Sequence, residues 1–331
     1  MTAASLSPTS ASFPTSPLEA TVQFTAEGRR LYGILHRSGN PIQGLPFVLM
    51  MVGGPQTRVG SHRSFVQIAR ALCAGGAHVL RFDYRGIGDA DGEWVGYNYA
   101  ESSMRAALDW IAAAFPKAGN VVLWSLCDGA GASMVFGARL GPAIAGMILC
   151  NPYVHGDGSK AESLIKHYYL RRLTDKGFWV KVIGGKFNPL TFAKSFLGLV
   201  GTVLASRAKA RSDAAGAPGA SGNAGNGSKG FGSAGGSPAD DPTGFDEDTL
   251  ERRSMTGILA FQRPILYILS TADIVADQFR AQLGRHKELA PLIKKGLLRT
   301  LPIAGANHTF SDLDHKRIVA AESLAALKTY L

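Results

Sequence analysis

The sequence predicts an α/β fold: a mostly parallel central sheet flanked by helices, with a helical lid inserted late in the chain. Three observations predict it. Short apolar runs alternate with segments of helical periodicity through residues 47–150, the alternation that builds a parallel sheet. The same alternation returns after residue 263. Between the two stretches lies an excursion of quite different composition.

Each element has its own reason. Val22–Glu27 and Arg30–His36 read as strands joined by a tight turn at Gly28. Phe47–Val52 is continuously apolar, as strands buried on both faces are. Ser64–Cys73 sets Phe65, Ile68, Ala69 and Leu72 at helical spacing, and His78–Tyr84 is the next strand. Tyr99–Phe115 is helical, with Met104, Ala107, Leu108 and Ile111 on one face. Val121–Trp124 reads as a strand, Cys127–Leu140 as a helix and Ile144–Cys150 as a strand. Later, Pro264–Ser270 and Leu297–Ile303 are expected to join the same sheet, and Ser311–Leu331 forms the final helix. The expected core is therefore 21–151 with 264–331, and 152–263 is the lid. Residues 1–20 are expected to be a disordered tail; they lack the basic start and apolar stretch of a signal peptide.

The lid has two characters. Lys160–Lys194 interleaves Lys166, Arg171, Arg172, Lys176, Lys181 and Lys186 with Tyr168, Tyr169, Phe178, Trp179 and Phe187. Such a segment suits an anionic membrane surface, a pocket for an anionic lipid-linked sugar, or simple packing with solvated cations. Ser212–Asp240, within a wider tract at 206–244, has 21 Gly, Ala or Ser in 29 residues. It has too little apolar surface to offset its ordering entropy and is expected to be a mobile loop.

Composition narrows the function classes. The chain has 331 residues, 46% hydrophobic and 18% charged, which provides for a large core and excludes a disordered or collagen-like chain. The net charge is +10. No nucleic-acid-binding motif accompanies it, so no nucleic-acid partner is expected. Cys73, Cys127 and Cys150 are too few for a disulfide framework and show no zinc spacing. No metal site or cofactor is implied. The longest apolar run, Phe196–Ala205, falls short of the roughly 20 residues that span a bilayer. A cytoplasmic protein is expected, with peripheral membrane contact through the lid as an added expectation.

The sharpest local signal is Val121-Val-Leu-Trp-Ser-Leu-Cys127-Asp-Gly-Ala-Gly-Ala132. A buried strand runs into a helix of small residues, with Ser125, Cys127 and Gly129 spaced small-x-Cys-x-small. That is the pattern of a nucleophile elbow, whose apex residue sits in a strained turn between closely approaching backbones. Centring the elbow on Ser125 would put Leu123 at a position that must be small, so Cys127 is the apex. A thiol there lies at a helix N-terminus, which favours the thiolate.

The order nucleophile, acid, histidine is the α/β-hydrolase order. Asp273 follows the strand ending at Ser270, and His308 follows the strand ending at Ile303. His308 would take the thiol proton or form an ion pair with the thiolate, and Asp273 would hold the imidazole. Asp277 is an alternative acid, expected to lie in the following helix. Asp312, Asp314 and His315 read as the first turn of the last helix. An oxyanion hole needs two N–H donors. One is expected from Asp128, and the other from the loop Gly53-Gly54-Pro55-Gln56. Pro55 has no N–H, which leaves Gly54 or Gln56. Arg58 or His62 is a candidate for the pocket wall beside that loop, the alternative being that Ser61 caps a helix with His62 and Arg63 in its first turn. Asp83 and Arg85 are expected to brace the loop after their strand.

Several segments together resemble the first family of bacterial exosortase A system-associated hydrolases. They are Gly53–Arg63, Arg81-Phe-Asp-Tyr-Arg-Gly-Ile-Gly-Asp89, Leu126-Cys-Asp-Gly-Ala130, His167-Tyr-Tyr-Leu170 and Leu269–Asp273. The resemblance covers roughly residues 20–200 and 250–331. It implies an α/β-hydrolase fold. It also implies a link to exopolysaccharide synthesis and to the sorting of proteins with a PEP-CTERM-type tail. Two features depart from the family: Ser125 where Gly is usual, and the Gly/Ala/Ser tract in the lid. The expected activity is hydrolysis of a carboxylic ester or thioester through a Cys127 acyl-enzyme, on a small-molecule or lipid-linked acyl substrate. An acyltransferase with the same covalent step, and a non-catalytic membrane- or partner-binding module, are the alternatives.

Overall fold

Phe47–Met51 (β3) and Val121–Leu126 (β5) are buried at every residue. Both lie inside an eight-stranded sheet in the computed structural model, which describes residues 18–53, 56–94, 96, 100–117, 119–154 and 247–330. The strands are Glu19–Ala26 (β1), Arg29–His36 (β2), β3, Val79–Asp83 (β4), β5, Ile144–Cys150 (β6), Ile265–Ser270 (β7) and Leu298–Ile303 (β8). Their order is β1-β2-β4-β3-β5-β6-β7-β8. β2 pairs antiparallel with β1 and with β4, and every pair from β4 to β8 is parallel.

The described helices are Ser64–Ala74 (α1), Ala100–Ala114 (α2), Asp128–Phe136 (α3), Glu247–Phe261 (α4), Ile274–Arg285 (α5), Ala290–Lys294 (α6) and Leu313–Lys328 (α7). The alternation of β5 sorts its side chains between two layers. Trp124 faces α1 and α7: its ring meets Phe65 edge-on at 5.2 Å and its Nε1 donates to Ser323 Oγ at 3.0 Å. Ser125 faces α3, with its Oγ 2.7 Å from Ser133 Oγ, which donates to Gly129 O at 2.9 Å. The hydroxyl at the position where the elbow pattern has glycine is thus taken up by α3.

α3 is buried from Gly129 to Phe136, because it lies between the sheet and α4. A Cβ on Gly129 would stand 2.6 Å from Val52 O and 2.8 Å from Met51 O. Glycine there lets the helix begin directly against the end of β3.

The compact unit that holds the sheet runs to Val154 and resumes at Glu251. The sheet-bearing unit therefore resumes thirteen residues before the 264 expected from the sequence. The reason is α4: Met255, Ile258 and Phe261 are buried, and its sequence lacks the apolar continuity that marked the strands. The N-terminal tail to residue 17, Gly54, the basic and aromatic segment 160–194 and the tract at 206–244 lie outside the described residues. No described helix is long and apolar enough to cross a membrane.

Candidate active site

Parallel strands present their carboxyl ends on one edge of the sheet, the edge where ligands bind in open α/β sheets. Cys127 follows β5, Gly53 follows β3 by two residues, Asp273 follows β7 and His308 follows β8. Four positions far apart in sequence are therefore delivered to one edge.

Cys127 occupies the turn between β5 and α3 with φ 57° and ψ −123°, a conformation L-residues avoid and elbows require. Its N–H donates to Cys150 O at 3.1 Å, and its carbonyl accepts from Ala130 N, Gly131 N and, at 3.2 Å, Tyr153 N. Those bonds hold the turn in its strained form. The thiol lies 3.6 Å from Asp128 Oδ1. Burial and then the Asp128 carboxylate push its pKa well above the ordinary thiol value, with Asp273 adding to the shift. The N–H of Asp128 pulls the other way and is outweighed. The helix N-terminus favours the thiolate through that N–H, as expected, but loss of water and two neighbouring carboxylates outweigh it.

Gly53 lies against this turn. A Cβ on it would stand 2.4 Å from Leu126 O, 2.7 Å from Asp128 N and 2.9 Å from Cys127 Cβ. Only glycine leaves the Asp128 N–H uncovered. Gln56, three residues on, accepts from Ser61 N through Oε1 at 3.0 Å, which ties down the far end of the loop.

Asp273 is the N-cap of α5 and is 9% exposed. Oδ1 accepts from Val275 N at 3.1 Å, and Oδ2 accepts from Ala276 N at 3.2 Å and meets His308 Nδ1 at 2.7 Å. A residue that caps a helix with both oxygens is held in one orientation, and here that orientation faces the imidazole. Asp277 sits in the first turn of α5 and pairs with Arg280. Asp312 caps α7, and Asp314 pairs with Arg317 at 2.9 Å.

Arg58 and His62, the candidates for the pocket wall, have structural partners among the described residues. The Arg58 guanidinium is paired with Asp83 and, at 2.6 Å, with Asp89. Its N–H donates to Asp83 Oδ1 at 2.5 Å and its carbonyl accepts from Arg81 Nη1 at 3.0 Å. It braces the loop after β4 alongside Asp83, because a buried carboxylate without a cation would be costly. His62 is exposed, with φ 52°, and its carbonyl accepts from Lys316 Nζ at 3.0 Å. Ser61 does not cap α1; the helix is entered through left-handed His62 and Arg63 with no side-chain cap.

Sequence reasoning passed over Tyr84 and Asn151. Tyr84 is buried just beyond β4, and its phenol pKa is driven up first by burial and then by the charge of Asp128. Asn151 is wholly buried just beyond β6, with its amide on Ser270 and on the His308 carbonyl. The signal that could have found both is position: each is polar and directly follows a strand of the sheet that carries the elbow.

Residues 58–186 match the model of a family described as serine aminopeptidase, S33. No curated protein matches the sequence. Among solved structures, the chain is similar to an esterase from Pyrococcus furiosus, with a TM-score of 0.55 at 13% identity over 94% of this chain and 91% of that one. It is similar to the α/β hydrolase GrgF from Penicillium sp. sh18, with a TM-score of 0.56 at 15% identity over 95% and 99%. The esterase domain of a Rhodothermus marinus protein gives 0.52 at 16% identity over 94% and 98%. Sheet order and these likenesses together make this the α/β-hydrolase fold.

Proposed function

We propose that the protein is a hydrolase of the esterase type, cleaving a carboxylic ester or thioester through an acyl-enzyme on Cys127. The observation that carries the reading is the Asp273–His308 bond of 2.7 Å on the sheet edge where Cys127 stands at a strained strand-to-helix turn. The esterases among its structural neighbours are consistent with it.

The chemistry follows from the geometry. With its Nδ1 proton on Asp273, the imidazole offers Nε2 as a base. Burial and the Asp128 carboxylate favour the protonated thiol. His308 removes the proton as sulfur bonds to the acyl carbon and the carbonyl electrons move onto oxygen. The N–H of Asp128 receives that oxyanion, with Gly54 or Gln56 supplying the second donor. The C–O or C–S bond to the leaving group then breaks, and the leaving group takes the proton from His308. Water, deprotonated by the same imidazole, attacks the thioester and releases the acid. An alcohol in place of water would make the protein an acyltransferase. The link to exopolysaccharide synthesis and a lipid-linked acyl substrate is supported by the segments that resemble the exosortase-associated family.

The test is mass spectrometry after brief exposure to p-nitrophenyl acetate. We expect an acetyl adduct on Cys127, lost in Cys127→Ala and retained in Cys73→Ala and Cys150→Ala. An adduct on Ser125, or turnover by Cys127→Ala at the wild-type rate, would refute the reading. Product analysis with and without an alcohol acceptor separates hydrolysis from transfer.

A further inference from the structure

We propose that Asn151 is a positioning residue: a buried amide that sets where the His308 imidazole stands relative to the Cys127 thiol. The inference rests on the reading of Cys127 and His308 as nucleophile and base.

Asn151 is fully buried with φ 41°, a left-handed conformation that asparagine tolerates better than most residues. Its N–H continues the β6–β7 ladder by donating to Ile268 O at 3.1 Å. Its side chain then acts as one more rung. Oδ1 accepts from Ser270 N at 2.8 Å, and Nδ2 donates to Ser270 Oγ at 2.8 Å and to His308 O at 2.8 Å. The amide orientation is set by these partners, since a flipped amide would oppose N–H to N–H and carbonyl to carbonyl. Ser270 passes the restraint on, donating from Oγ to Asn307 O at 2.8 Å. Two successive carbonyls of the histidine loop are therefore held from one buried point.

The other end of the restraint is the nucleophile. Cys150 O accepts from Cys127 N at 3.1 Å, and Tyr153 N donates to Cys127 O at 3.2 Å. The residues flanking Asn151 grip the backbone of the elbow while its side chain grips the backbone of the base. The segment 150–153 thus spans both reacting groups. Few side chains can replace this one, because the position needs one acceptor and two donors within a single short planar group. Asp273 orients the imidazole ring; Asn151 fixes the main chain that carries it. A shift of about 1 Å in such a placement costs up to about 10²-fold in rate.

The test combines steady-state kinetics on p-nitrophenyl acetate with the pH profile of Cys127 alkylation by iodoacetamide, which reads thiol activation without a substrate. Both are measured on the full chain for wild type, His308→Ala, Asn151→Ala and the double variant. For Asn151→Ala we expect kcat to fall about 10- to 100-fold with KM within about twofold. We also expect the alkylation profile to move toward that of His308→Ala. In the His308→Ala background, adding Asn151→Ala should change kcat by less than about twofold, because the amide acts through the imidazole. Should Asn151→Ala fail to fold, Asn151→Asp keeps the volume and the acceptor for Ser270 N while its carboxylate has no donor for His308 O, and it should give the same readouts. A lower melting temperature with unchanged kcat and alkylation profile overturns the inference. So does an equal loss of kcat in the two backgrounds. If His308→Ala itself alters neither turnover nor alkylation, the assignment of the site fails, and the positioning role fails with it.

Discussion

At the scale of single residues, two glycines explain why the site can exist. Gly129 lets α3 begin beside β3, and Gly53 leaves the N–H of Asp128 open. The second has a direct consequence. The methyl of Gly53→Ala would stand 2.7 Å from Asp128 N, too close for any substrate oxygen to reach that donor. We expect Gly53→Ala to lower kcat on p-nitrophenyl acetate by on the order of 10² or more, the usual share of one oxyanion donor. Alkylation of Cys127 by iodoacetamide should fall far less than turnover, because it develops no oxyanion for that donor to hold. Hydrolysis at the wild-type rate would remove Asp128 N–H from the oxyanion role. Gly129 was legible only as the small residue two after the apex, and Gly53 only as the start of the oxyanion loop. What each one avoids touching is a property of β3 against β5, which no local pattern contains.

At the scale of elements, the antiparallel corner of the sheet holds a buried polar chain across three strands. Glu19 on β1 is paired in register with His36 on β2. His36 Nδ1 lies 3.3 Å from Glu19 Oε1, and Arg81 Nε on β4 donates to His36 Nε2 at 2.8 Å. Burial first and the Arg81 guanidinium second push the His36 pKa down to about 4, against the opposing pull of Glu19. The imidazole is thus neutral in the fold, whereas an unfolded histidine titrates near 6.5. Its contribution is fully present above about pH 6.5 and is lost as pH falls toward 4, on the order of 3 kcal/mol in all. Urea unfolding at pH 7 and pH 4.5 should show this loss, and His36→Gln should flatten it. An unchanged slope in His36→Gln would place the acid sensitivity elsewhere. The strands themselves were readable, since an unbroken apolar run has few other uses. α4 was not, because its buried face of Met255, Ile258 and Phe261 appears only once α3 is there to receive it.

At the scale of the whole molecule, the sheet-bearing unit is built from two stretches of chain, to Val154 and from Glu251. Both ends are fastened from α5. Gln282, fully buried, donates to Val154 O at 3.3 Å and to Glu251 Oε2 at 3.1 Å. The chain between them therefore begins and ends at one anchored point. If Ser212–Asp240 is the loop its composition suggests, deleting it changes loop closure by only a few tenths of a kcal/mol. We expect the melting temperature of the deletion variant to stay within about 2 °C of wild type. A larger fall would mean that the Gly/Ala/Ser tract packs on the protein.

The sequence by itself determined the class of fold, the order of its strands along the chain and the elbow at Cys127. Those features are encoded in neighbours, as apolar runs, helical spacing and small residues two either side of an apex. Asp273 and His308 were reachable by their places just after strands, since chain order and strand ends survive without coordinates. The tertiary structure decided the rest. It turned Arg58 onto Asp83 and Asp89, raised the thiol pKa through burial and then two carboxylates, and brought the Asn151 amide to the His308 carbonyl. Each of these depends on burial or on groups brought together by the packing of strands and loops. The energies that settle them act over ångströms in space, and the sequence records only distance along the chain.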